Sequence, residues 1–263
     1  MSELKASFPA KYARTRKILA KRLKAYLKDS NPENVRSLRI AIRRMSLSIE
    51  LLPKKMRKEK AIQTFAASLD QASKANAKVR DLDIVISKIS SYKPEVSIDN
   101  QIAKIKETRE SQLQAARRQT LALQKQPIPK VGEEDLSNSK LQKRLNKTTN
   151  QLISAINSRL PLVLQDSNNV RDLHLLRMDC RRLRYLAELF RSKKTARLLS
   201  RLRSWQDLLG FIHDSDLTID YLRNLGEELE MRTILHDLVV LRTQSYEKFG
   251  SIAKQISPVS LVL

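Results

Sequence analysis

The chain has 263 residues, with 51 Lys and Arg against 28 Asp and Glu, a net charge of +23, and only four glycines and one cysteine. So few glycines cannot supply the turns of an all-β sandwich or barrel, a lone Cys180 excludes a disulfide scaffold and suits a reducing compartment, and 41% hydrophobic residues argue against pure disorder. No apolar run reaches the roughly 18 residues of a membrane span, and the N-terminal stretch lacks an apolar signal core; the expectation is an all-α, cytoplasmic protein whose excess charge answers a polyanion.

Apolar spacing reads as helix along the whole chain. Over 8–28, Leu19, Leu23 and Leu27 recur every four residues. Asp29-Ser30-Asn31-Pro32 stops that helix and starts the next, with Ser30 or Asn31 as cap and Pro32 in the first turn. The second helix runs over about 32–52, up to Pro53. A third covers about 55–90 with a break near 76–81, and a fourth covers about 97–126. Pro127, Pro129 and Gly132 mark an interior linker over 127–137. The plan then repeats: a helix over 138–165, a break at Asp166-Ser167-Asn168-Asn169, and helices over 169–191, 195–210, 214–225 (after a bend at Gly210) and 227–254. The tail 259–263 is apolar but far too short to anchor in a membrane.

The two halves match in register. Val35-Arg36-Ser37-Leu38-Arg39-Ile40-Ala41-Ile42-Arg43-Arg44, with Glu50-Leu51, aligns with Leu173-His174-Leu175-Leu176-Arg177-Met178-Asp179-Cys180-Arg181-Arg182, with Glu188-Leu189, at an offset of 138. Arg80-Asp81-Leu82-Asp83 aligns with His213-Asp214-Ser215-Asp216 at an offset of 133. A period this long is no solenoid repeat; it implies two similar helical bundles related by pseudo-two-fold symmetry.

The repeated helix carries the chemistry. At about 100° per residue, Arg36, Arg39 and Arg43 share one stripe, as do His174, Arg177, Arg181 and Arg184. An apolar stripe lies beside each: Val35, Leu38, Ile42 and Met45, then Leu173, Leu176, Cys180 and Leu183. A basic protein carries solvated basic faces as a matter of course. Recurrence in both halves, and the preference for arginine with its planar fork, point instead to phosphate oxygens. Glu50 and Glu188 are placed to hold arginines. The first helix adds Arg14, Lys17, Lys21, Lys24 and Lys28, with no acid between Lys5 and Lys28. Its counterpart keeps Arg144 and Lys147 but then carries Gln151, Ser154 and Ser158, so the anion path is asymmetric. Arg109, Arg117 and Arg118 add charge on the fourth helix.

The pairs Asp81/Asp83 and Asp214/Asp216 read as structural acids at helix starts that also steer arginines. The three histidines, with Asp214 and Asp237, imitate the metal constellation of helical phosphohydrolases. The duplication argues against a metal: His174 aligns with Arg36 and His213 with Arg80, and arginine ligates no metal although both residue types donate to phosphate. Cys180 and Trp205 read as core residues. No Gly-rich phosphate loop, nucleophile elbow or zinc spacing occurs, so no catalytic residue, metal or cofactor is assigned.

The paired Leu-Arg-x-x-x-Arg-Arg helices, the Arg80-Asp81-Leu82-Asp83-Ile84 element and Leu208-Leu209-Gly210 before His213-Asp214-x-Asp216 resemble the CHAD (conserved histidine α-helical) domain, over about 8–255. The resemblance implies one domain over 1–263, with halves at 8–126 and 138–255. It implies two four-helix bundles, and inorganic polyphosphate bound in a basic central channel without catalysis. By position its binding set is Arg36, Arg39, Arg43, Arg44, His174, Arg177, Arg181, Arg182 and Arg184. To these the basic stripes add Arg14, Lys17, Lys21, Arg80, Arg109, Arg144 and His213. The family's first-half histidine is Arg36 here, which keeps phosphate binding and removes acid–base chemistry at that position. A separate polyphosphate-metabolising enzyme and polyphosphate granules are implied partners. Two alternatives stay open: a nucleic-acid-binding helical protein, which needs aromatics to stack single-stranded bases, and a metal-dependent phosphohydrolase, which needs His174, His213 and Asp214 to converge.

Overall fold

A computed structural model describes the backbone of residues 3–92, 96–190, 195–225 and 229–254, and no strand occurs among them. The helices are α1 (Glu3–Lys28), α2 (Pro32–Glu50), α3 (Lys54–Arg57), α4 (Lys60–Ile89), α5 (Val96–Lys125), α6 (Asn138–Gln165), α7 (Val170–Leu189), α8 (Thr195–Leu225) and α9 (Leu229–Lys254). The apolar tail lies outside the described residues. No helix among them is long and apolar enough to cross a membrane.

The starts of α2 and α7 follow from their sequences. Asn31 Oδ1 accepts from the Asn34 amide at 2.9 Å and Pro32 opens the helix; Asn169 Oδ1 accepts from the Asp172 amide at 3.1 Å. Each cap satisfies an amide that the first turn leaves open, worth about 1 kcal/mol. The stripes expected to face inward do so, with Val35, Leu38, Ile42, Met45, Leu173, Leu176, Cys180 and Leu183 all buried. Burial pushes the Cys180 thiol far above its ordinary value, which makes it an inert core group. Trp205 is buried edge-on against Phe249, at a centroid distance of 5.6 Å.

Four local expectations are corrected. The third helical stretch is two helices, because Lys58 and Glu59 donate back to Lys55 and Met56 and close a turn after α3. Helix α4 does not break over 76–81: the buried Asn76 donates from its side-chain NH2 to Ala72 O at 2.9 Å and to Thr120 Oγ1 of α5 at 3.0 Å, which holds the side chain against the continuous helix. Helix α8 continues uninterrupted through Gly210, with buried Leu202, Trp205, Leu209 and Ile212 on either side. As a consequence Asp81, Asp83, Asp214 and Asp216 lie inside long helices rather than at helix starts.

By spatial clustering the chain forms two compact units. The first takes residues Met1–Asp83 and Ala103–Thr148, the second Ile84–Ile102 and Thr149–Leu263. The unit boundaries therefore fall within α4, α5 and α6, and the 127–137 segment lies inside the first unit. Within the first unit α1 packs on α2; within the second α8 packs on both α7 and α9.

Candidate functional site

In the first unit, α1 sorts its residues cleanly. Phe8, Tyr12, Leu19, Leu23 and Tyr26 are buried, while Arg14, Lys17, Lys21, Lys24 and Lys28 are all exposed. Relative to Leu19 the five cations lie on the opposite side of the helix, and at 1.5 Å per residue they form a line about 21 Å long. The charge is unevenly shared between the units. The first holds 32 Lys and Arg against 13 Asp and Glu, the second 19 against 15, so the first carries +19 and the second +4.

The α2 stripe is graded in depth. Arg36 is exposed and pairs with Glu33 at 3.7 Å. Arg43 and Arg44 are half-buried. Arg39 is buried and donates to Ser73 O at 3.0 Å. Arg80 is half-buried on α4, near Asp83.

Several arginines of this unit bind protein acceptors. Arg109 Nε donates to Asp83 Oδ1 at 2.5 Å and its Nη2 to Ser30 O at 3.0 Å. Burial pushes the Asp83 carboxyl up, and the guanidinium of Arg109 pulls it back. Arg117 donates to Ser30 Oγ and to Leu27 O, and Arg144 to Glu50 O at 3.0 Å with an ion pair to the Glu50 carboxylate at 3.8 Å. Cations at the last carbonyls of α1 and α2 meet their helix dipoles favourably. Of the expected binding residues, then, the first unit puts Arg14, Lys17, Lys21 and Arg36 in solvent, and turns Arg109 and Arg144 toward structural acceptors.

The second unit has its own polar cluster, built from α4, α7 and α8. His174 and His213 meet with Nδ1···Nδ1 at 3.3 Å and ring centroids 4.8 Å apart. Arg177 pairs with Asp214 at 3.9 Å. Lys88, from the last turn of α4, lies over the Phe211 ring at 3.7 Å and within electrostatic reach of Asp214; burial lowers its ammonium below the ordinary lysine value. Arg181 is buried with a donor on Met178 Sδ, Arg184 pairs with Glu188 at 3.5 Å, and Arg182 is exposed. Sequence reasoning missed Lys88, whose ring partner lies 123 residues away. It also missed Arg242, which repeats the Arg109 arrangement: Nε to Asp216 Oδ1 at 2.8 Å and Nη2 to Ser167 O at 2.6 Å. The signal was present, because Arg242 follows Arg109 by 133 residues, the offset that relates Asp216 to Asp83.

Among the described residues no three His, Cys, Asp or Glu side chains gather as a metal ligand set. All twelve aromatic residues are buried or half-buried. What the two units offer chemically is donors and positive charge: a long exposed cation line in the first, and a compact His/Arg/Lys cluster in the second.

The comparisons with known proteins agree with this architecture. The crystal structure of the CHAD domain from the plant Ricinus communis superposes with a TM-score of 0.63 at 16% identity, covering 97% of this chain and 92% of that one. PptA from Streptomyces chartreusis superposes with a TM-score of 0.64 at 15% identity, covering 95% of this chain and 98% of that one. No curated protein matches the chain in sequence. The CHAD domain family matches over residues 12–223, from the third turn of α1 to the last turn of α8, and with that match and the fold the chain belongs to the CHAD domain family.

Proposed function

We propose that this protein binds inorganic polyphosphate without transforming it. The observation that carries the reading is the unneutralised line of five exposed cations on α1, in the +19 unit of a CHAD family chain. Polyphosphate is a flexible line of closely spaced negative charges without bases. A row of lysine and arginine donors grips it through charge-assisted hydrogen bonds and counterion release. Within the first unit Arg36, Arg43 and Arg44 on α2 add donors, with Arg39 buried; the second unit separately offers the exposed Arg182, with Arg181 buried. A four-helix organisation of each half, a basic channel, a cytoplasmic location and a separate polyphosphate-metabolising partner enzyme belong to the same proposal.

The sheltered aromatics favour a phosphate chain over single-stranded nucleic acid, which gains about 1–3 kcal/mol per stacked base. The deciding experiment is a competition. Long-chain polyphosphate should displace DNA from the protein at equal phosphate concentration in moderate salt. If DNA displaces polyphosphate, the protein is a nucleic-acid binder. Turnover of polyphosphate with added divalent metal, abolished by His213→Ala, would replace binding with hydrolysis.

A further inference from the structure

The cations of α1 do not exhaust the first unit. A second group lies where the end of α2, the short α3 and the start of α6 come together, all within that unit. Lys54, Arg57 and Lys58 stand at i, i+3 and i+4, so they share one side of α3 and its last turn. Lys140, Arg144 and Lys147 stand at i, i+4 and i+7 and share one side of α6. Met56, Leu141 and Leu145 are the buried residues of these stretches, and the four lysines are exposed.

The two rows meet at their arginines. Arg57 Nε donates to Leu52 O at 3.0 Å and Arg144 Nε to Glu50 O at 3.0 Å, so both guanidiniums are fixed on carbonyls at the end of α2. Burial lowers the Arg57 guanidinium below its ordinary value, the charge of Arg144 lowers it further, and Glu50 opposes both. Two like charges therefore stand within electrostatic reach of each other and of one carboxylate. Among the described residues, Nη1 of both arginines and Nη2 of Arg57 meet no hydrogen-bond acceptor, and none of the four lysines has an ion-pair partner. Helix α6 contains no acid. The neighbouring acids in sequence are Glu59 and, ahead of α6, Glu133, Glu134 and Asp135, the last already accepting from the Gly132 amide.

We infer that this corner of α3 and α6 is a second anion site, and that its ligand is a compact oligophosphate. The shape separates it from α1. There a single row of cations runs about 21 Å along one helix; here the α6 row spans only about 10 Å and a second row converges on its middle. The chemistry favours phosphate. Arginine forks already fixed through Nε present further N–H donors to phosphate oxygens, lysines add charge around them, and the bound anion relieves the repulsion between Arg57 and Arg144. The inference shares the phosphate chemistry of the reading above but not its site, so the two fail separately.

The test is calorimetric titration of the full chain with inorganic tripolyphosphate in moderate salt, beside the same titration with long-chain polyphosphate. Wild type should bind tripolyphosphate. Lys54→Gln/Lys58→Gln/Lys140→Gln/Lys147→Gln should bind it at least about tenfold more weakly, because several charge-assisted hydrogen bonds are lost. Lys17→Gln/Lys21→Gln/Lys24→Gln should match wild type for this short ligand. If the quadruple variant fails to fold, acetylation of wild-type lysines decides: tripolyphosphate should slow labelling of Lys54, Lys58, Lys140 and Lys147 and leave Lys17, Lys21 and Lys24 unprotected. An unweakened quadruple variant, equal weakening in both variants, or protection of the α1 lysines instead overturns the inference. Long-chain binding without tripolyphosphate binding also overturns it and leaves the polyphosphate reading standing. Tripolyphosphate held at this corner without long-chain binding overturns that reading and keeps the inference, and no binding of either overturns both.

Discussion

Arg109 and Arg242 serve the fold by the same arrangement, one in each unit. Each guanidinium joins a buried or nearly buried aspartate on one helix to a backbone carbonyl in a break between two earlier helices: Asp83 with Ser30 between α1 and α2, and Asp216 with Ser167 between α6 and α7. Arg109→Ala would leave the Asp83 carboxyl buried without its cation, at a cost of about 3–5 kcal/mol at neutral pH. The pH dependence has a definite sign. Burial already raises Asp83 in the folded state, and losing Arg109 raises it further. The folded variant then holds a proton that the unfolded chain releases above roughly pH 4. Its deficit against wild type is therefore smallest near pH 4 and grows as pH rises through the folded-state value. Urea unfolding at pH 4 and pH 7 measures this; an equal deficit at both would mean that the carboxylate does not feel Arg109. Arg109→Leu/Asp83→Leu, which removes both charges, should recover much of the loss.

Helices α1 and α8 carry the element-scale arguments. On α1 the core line and the cation line occupy opposite faces, so its lysines can be removed without touching packing. Lys17→Gln/Lys21→Gln/Lys24→Gln should keep the helix content and weaken polyphosphate binding. At about 0.7 per contact on a single-stranded polyanion, the slope of log affinity against log salt should flatten by roughly two. An unchanged slope would remove α1 from the binding face. On α8, a Cβ at Gly210 meets no atom within 4 Å, and the helix is continuous through it. Gly210→Ala should then stabilise the protein by about 0.5–1 kcal/mol, read as a raised thermal midpoint, because alanine loses less backbone freedom on folding. A lowered midpoint would mean that α8 must bend there.

For the whole molecule the main fact is the division of +23 into +19 and +4. The first unit keeps a large unbalanced charge while folding compactly, so self-repulsion opposes its stability and screening relieves it. The thermal midpoint should rise as salt goes from 50 to 300 mM, and rise further with polyphosphate at low salt. A chain present at 100 times its dissociation constant adds about 2.7 kcal/mol through mass action. A midpoint that falls with salt would show instead that close ion pairs outweigh the repulsion.

The sequence alone determined what is local. Helical periodicity, the breaks at Asp29–Pro32 and Asp166–Asn169, the buried stripes from Val35 to Met45 and Leu173 to Leu183, and the Arg/His register of the duplication all depend on residues a few positions apart, or on comparing two stretches of one chain. Periodicity gives the direction in which a side chain leaves its helix; it does not give what the side chain meets. That is why Asp83 and Asp216 read as helix-start acids until their helices proved continuous. It is also why the protein acceptors of Arg109 and Arg144 were not legible: Asp83 lies 26 residues from the one and the Glu50 carbonyl 94 residues from the other. Tertiary structure decided which cations reach solvent and which are held by protein acceptors, and it brought Lys88 to Phe211 and His174 to His213 across 39 residues. Those choices come from packing between helices far apart in the chain, where burial leaves a charge no option but a partner.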